Sequence, residues 1–146
     1  MAAVAVDYRV QGEGPPLYMV HGIGSRKVTW DGLMPQFTPY FTCVSYDLRG
    51  HGHSPVPTPP YSLDDLVEDL EALRVKLGHE QIHVVGHSLG GMIGPAYARA
   101  HPDRVSSLGL LSTAAGRSDD ERKKLFALIA QMEREGVARV DRKGTR

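Results

Sequence analysis

The chain holds one cysteine, one tryptophan and three phenylalanines in 146 residues, and its 17 basic side chains cancel 17 acidic ones. Each shortage excludes something. A lone cysteine, Cys43, permits no intrachain disulfide and no thiolate cluster for a structural metal. It lies in the apolar run 41–46 and reads as a buried, inert thiol. Balanced charge leaves no electrostatic footprint for nucleic acid or an anionic membrane. No run approaches the ~20 apolar residues of a membrane helix, and the opening MAAVAVDYRV lacks the basic start of a signal peptide. There is no internal repeat, and PVPTPP at 55–60 reads as a stiff loop, not a linker. The expectation is a soluble, cytoplasmic protein without metal or cofactor.

What is present is alternation. Residues 4–10 place Val4, Val6, Tyr8 and Val10 on one face, which is strand periodicity. Gly12 and Gly14 then suggest a turn into the apolar run 17–20, and so a β-hairpin. Trp30, Leu33, Met34 and Phe37 recur at helical spacing, but Pro35 and Pro39 keep that helix short or irregular. Residues 42–46 form another strand. The strongest helix spans 63–77, with Leu63, Leu66, Val67, Leu70, Leu73 and Leu77 in one stripe, a Ser62/Asp65 capping box and a Gly78 stop. A strand at 81–86, a helix at 89–100 containing Pro95, a strand at 106–112 and a helix opening at Ser118 follow. Strands alternating with helices predict an α/β fold, a mostly parallel sheet with helices on both faces. Ligands of such sheets bind at the carboxyl ends of the strands.

Two glycine-bearing stretches fall at those ends. Gly86-His87-Ser88-Leu89-Gly90 fits G-x-S-x-G between a strand and a helix. A serine in so sharp a turn stands clear of its neighbours, and Gly86 and Gly90 remove side chains that would collide there. Ser88 is the candidate nucleophile, and the Leu89 N–H, at the helix start, a candidate oxyanion donor. The competing reading is a strand–turn–helix junction with glycines for geometry alone. The second stretch, MVHGIG, offers the Ile23 N–H as the other oxyanion donor, with His21 as a loop brace. In the third, YDLRGHGHS, His51 and His53 lack a convergent carboxylate, so bracing is favoured over metal binding. Asp47 and Arg49 read as an internal ion pair or loop brace.

VHGIGS…W, DLRGHGHS and GHSLGG stand in the order and spacing of the α/β-hydrolase superfamily. The chain resembles bacterial esterases, 3-oxoadipate enol-lactonases and cofactor-free haloperoxidases of that superfamily over residues 8–140. The resemblance implies a serine hydrolase of carboxylic esters or lactones, with Ser88 as nucleophile. It also implies an acid and then a histidine further along the chain. By that pattern residues 1–117 are the N-terminal part of the hydrolase core, and 118–146 begin a cap or lid. His101, the only histidine after Gly91, lies roughly 18 Å away along the elbow helix by a rise of 1.5 Å per residue. Three readings stay open: a piece of a longer hydrolase, one subunit of a split enzyme, or a non-catalytic ligand- or partner-binding module on half the fold. The first two supply the acid and histidine from outside this chain. A half-domain would expose a strand edge and apolar faces, so a second chain or self-association is expected.

Overall fold

The computed structural model of the chain describes residues 2–111. Five strands form one sheet in the order β1-β3-β2-β4-β5: β1 Tyr8–Gln11, β2 Pro16–Val20, β3 Thr42–Tyr46, β4 Ile82–His87 and β5 Val105–Leu111. β2, β3, β4 and β5 are parallel and β1 alone is antiparallel.

β1 and β2 do not form the predicted hairpin. β3 lies between them and pairs with both, Tyr8 opposite Tyr46 on one side and Val20 opposite Tyr46 on the other. The glycine-rich connection must therefore cross over a strand. It does so pressed against residues 38–41: Glu13 N–H donates to the Thr38 carbonyl, and a Cβ on Gly12 or Gly14 would run into the carbonyls of Phe41 or Tyr40. Both glycines have positive φ, 87° and 130°. Local alternation marks a strand, but its partner is chosen by contacts made thirty residues later.

The pleat sends alternate residues to two cores. Tyr18 and Val20 of β2, Val44 and Tyr46 of β3 and Ile82 and Val84 of β4 meet α1 (Leu63–Leu77) and α2 (Gly90–Ala100) on one face. Leu17, Met19 and Cys43 meet Trp30 and Met34 on the other. That second layer is a 3-10 helix, Lys27–Leu33, running into a single α-turn, Met34–Phe37, as the two prolines require. Cys43 is buried, and burial raises its thiol pKa, as a structural cysteine requires.

α1 has the predicted bounds and both predicted caps. The Ser62 hydroxyl accepts from Asp65 N–H, the Asp65 carboxylate accepts from Ser62 N–H, and Gly78 closes the helix at φ 76°. α2 starts at Gly90 with Leu89 as its N-cap. Gly94 of α2 faces β5, where a Cβ would lie 2.8 Å from Leu108 Cδ1, so the helix sits close on the sheet. The predicted helix from Ser118 and the proposed cap region, 118–146, lie outside the described residues. Among the described residues, no helix is long and apolar enough to cross a membrane.

Candidate active site at the nucleophile elbow

β4 ends at His87 and α2 begins at Gly90, which leaves Ser88 and Leu89 to reverse the chain. Ser88 is the only non-glycine residue with positive φ among those described, at 56°. Left-handed backbone costs an L-residue of order 1 kcal/mol or more. It persists here because both flanks are sterically closed. A Cβ on Gly86 would strike the Gly90 carbonyl, and one on Gly90 would strike the Val20 carbonyl at the end of β2. The turn is pinned by Ser88 N–H donating to Leu111 O at 3.0 Å and by Gly91 N–H donating to Ser88 O at 2.9 Å. The last carbonyl of β5 thus helps hold the elbow, a contact that no motif announces.

The His21–Ser25 loop lies against this turn. A Cβ on Gly22 would sit 3.1 Å from Ser88 Cβ and 3.4 Å from the His87 carbonyl. Gly22 is thus a site residue that the sequence motifs do not single out. Its signal was its place directly after the strand-end histidine. Gly24 N–H is committed to His51 Nε2 at 2.9 Å, and Ser25 N–H to Gly22 O at 3.1 Å. Past Ser88, Met92 and Ile93 N–H both donate to Leu89 O. Ile23 and Leu89, the two predicted oxyanion donors, make no backbone N–H hydrogen bond among the described residues. Leu89 is buried and Ile23 half-buried.

His21 and His51 are braces. His21 is fully buried. Its Nε2 accepts from Leu48 N–H at 3.0 Å and its Nδ1 lies 2.7 Å from Gly22 O. His51 Nδ1 lies 3.0 Å from Arg49 O. Since an amide N–H only donates and a carbonyl only accepts, each ring is neutral with its proton on Nδ1. Desolvation, helped by the neighbouring His51, pulls the His21 pKa down from 6.5 to about 4. With both nitrogens of each ring engaged, neither serves as a base for Ser88. Of the other histidines, His87 precedes Ser88 and its Nδ1 would lie 3.5 Å from a Cβ on Gly22, but it is exposed, as is His53; His79 meets Tyr18 Oη at 2.6 Å, His83 meets Ser107 at 2.6 Å, and His101 at the far end of α2 meets Glu68 at 3.1 Å. None of the hydrogen bonds among the described residues joins a histidine ring to Ser88.

Beneath the loops lie buried charges whose partners the sequence did not reveal. Asp47 pairs with Lys27, not Arg49. Its carboxylate takes Lys27 N–H at 2.7 Å, Lys27 Nζ at 3.0 Å and His53 N–H at 3.0 Å. Burial alone would raise the Asp47 pKa, but those donors outweigh it and hold the carboxyl below its usual range. Arg49 is fully buried and grips Asp69 of α1 through Nε at 2.7 Å and Nη2 at 2.8 Å. No group of three or more His, Cys, Asp or Glu side chains suited to a metal occurs among the described residues.

A family model described as the alpha/beta hydrolase fold matches residues 15–142. The chain is 38% identical over 113 residues to a fluoroacetate dehalogenase of Burkholderia sp, which is 74% of this chain and 37% of that protein. It is 37% identical over 98 residues to a pimeloyl-[acyl-carrier protein] methyl ester esterase of Aeromonas hydrophila, 66% of this chain and 37% of that protein. A marine microorganism esterase superposes with a TM-score of 0.76 at 29% identity, over 88% of this chain and 51% of the other. The chain spans 33–40% of the length of the curated relatives it matches. The parallel sheet, the strained serine turn and these matches agree: the chain belongs to the α/β-hydrolase fold family.

Proposed function

We propose that this chain carries the nucleophile and oxyanion half of a cytoplasmic serine hydrolase of carboxylic esters or lactones. Ser88 attacks the acyl carbon, the Ile23 and Leu89 N–H groups hold the developing oxyanion, and an acid and histidine from outside the described residues activate the serine. The observation that carries this reading is Ser88 at φ 56° between two glycines with no room for a Cβ. Strain of that kind at one polar residue, beside amides that donate to no described residue, suits a nucleophile better than a plain turn.

The nucleophile also narrows the reaction. The relatives include a dehalogenase and an esterase. A serine displacing halide from a saturated carbon would form an ether, which water does not release. A serine adding to an acyl carbon forms an ester and expels the alcohol; water then opens that ester to the acid and restores the hydroxyl. Ser88 therefore favours acyl substrates.

On this reading the completing strands belong to a longer hydrolase of which this chain is a piece, or come from a second polypeptide or a second copy docked at the β5 side. There Leu110 and Leu111 are 43% and 45% exposed. The alternative is a non-catalytic binding module on half the fold, favoured by the lack of a histidine at Ser88 among the described residues. The test is a serine-directed phosphonate on the purified assembly, with intact mass and light scattering to identify any second chain. Labelling at Ser88, abolished by Ser88→Ala, is the expected result. Ligand binding without labelling in an assembly that contains the completing strands, unchanged by Ser88→Ala, would establish the module instead.

A further inference from the structure

The two loops that flank the elbow exchange histidines. His21, in the first loop, accepts the Leu48 N–H of the second at 3.0 Å. His51, in the second, accepts the Gly24 N–H of the first at 2.9 Å. Each ring also donates from Nδ1 to a carbonyl of its own loop, Gly22 O at 2.7 Å and Arg49 O at 3.0 Å. The rings lie 4.9 Å apart, tilted by 59°. The four bonds form a closed circuit around Ile23: Gly22 O on one side of it is held by His21, and Gly24 N–H on the other by His51. We infer that His21 and His51 act together as a reciprocal latch that positions the Ile23 N–H beside Ser88. They are positioning residues, since neither ring contacts the acyl group in the proposed reaction.

The physical case rests on three points. A hydrogen bond to a neutral imidazole nitrogen is directional, so each ring fixes the amide it accepts. Both residues are buried, His21 at 0% and His51 at 5% exposure, so water is a poor substitute if a ring is lost. A displacement of about 1 Å at an oxyanion donor is enough to cost on the order of a hundredfold in rate. Asp47 reinforces the join through the N–H of Lys27, which opens the 3-10 helix after the first loop, and His53 N–H on the second, but these contacts lie beyond Ile23 along the chain.

The inference rests on the proposed role of Ser88, so its test has a part that does not. In the full-length chain, long-range nitrogen-15 spectra should show His21 and His51 protonated at Nδ1. Hydrogen exchange should report the circuit. His51→Phe should speed exchange at Gly24 about tenfold and also at Leu48, in the other loop, while His51→Gln, which keeps an acceptor at the Nε2 position, restores both. Amides of β2 and β3 serve as the folding control. If the Phe variant does not fold, the Gln variant and the ring protonation of the unsubstituted chain still decide. Protonation at Nε2, or exchange changed only at Gly24, would overturn the latch. In the assembly, phosphonate labelling of Ser88 should slow about a hundredfold in His51→Phe and recover in His51→Gln. Unchanged labelling would overturn the positioning role. No labelling of the unsubstituted assembly would overturn the role of Ser88 instead, leaving the exchange data to judge the latch.

Discussion

Strands β2 and β5 run in the same direction on either side of β4, and both are rich in apolar side chains. Every β2 residue after Pro16 is buried, whereas β5 has no buried residue. The difference is not propensity. β2 is covered by α1 and α2 above and by Trp30 and Met34 below. Among the described residues β5 is covered by α2, which approaches it at Gly94, and its Leu108 is half-buried. One side of this molecule is closed down to single carbon atoms and carries the elbow. The other ends in apolar surface. Rigidity at Ser88 is thus built from β2 and the loops above it, while β5 contributes one carbonyl, Leu111 O.

The largest test of that contrast places one methyl on each side. Gly90→Ala would drive a Cβ into the Val20 carbonyl, and no flexible side chain can yield. Loss of about 4 kcal/mol or more is expected, read by urea unfolding of the full chain. Gly109→Ala in β5 meets nothing closer than Val85 Cγ2 at 3.5 Å, so a change within about 0.5 kcal/mol is expected. Equal effects would break the comparison.

Next comes truncation. Met19→Ala, at a fully buried site, should cost about 3 kcal/mol. Leu111→Ala, 45% exposed, should cost less than about 1 kcal/mol. A large loss at Leu111 would show that β5 is covered by a partner under the assay conditions.

The third test is pH. His21 stays neutral in the fold, with its pKa at about 4 against 6.5 in an unfolded chain. Its stabilisation is complete above pH 6.5 and is lost as pH falls toward 4, because the unfolded chain takes up a proton that the folded one refuses. The loss is about 3 kcal/mol over that window. Besides burial, the groups acting on the ring are His51 and Lys27, which lower its pKa further, and the Gly22 carbonyl and Asp47, which oppose them. His79, also lowered by desolvation, adds to the same window. Glu71, whose pKa is held near 2 by Arg74, titrates below it. His21→Gln should flatten the dependence in denaturation measured from pH 7 to 4.5, and an unchanged slope would assign it to His79.

Much of this was written locally. The α1 bounds and caps were readable because an apolar stripe, Ser62, Asp65 and Gly78 act within a few residues of one another. The elbow was readable for the same reason, since Gly86 and Gly90 sit two residues from the serine they serve. The hairpin was misread because β1 is defined by its own alternation, and its true neighbour β3 is separated from it by Gly12–Pro15, β2 and the first helical layer. Asp47 and Arg49 read locally as an internal ion pair or loop brace, but their partners Lys27 and Asp69 lie 20 residues away in opposite directions along the chain.

By itself, then, the sequence determined the order of elements, the identity of the strained serine and the sheet edge on which it stands, because periodicity, capping and tight turns are short-range. The tertiary structure alone decided that β3 enters between β1 and β2, that Leu111 O supports the elbow, and that His21 and His51 each hold the other's loop. Those are pairings between distant segments, chosen by what packs and what can be hydrogen-bonded once the chain has closed on itself.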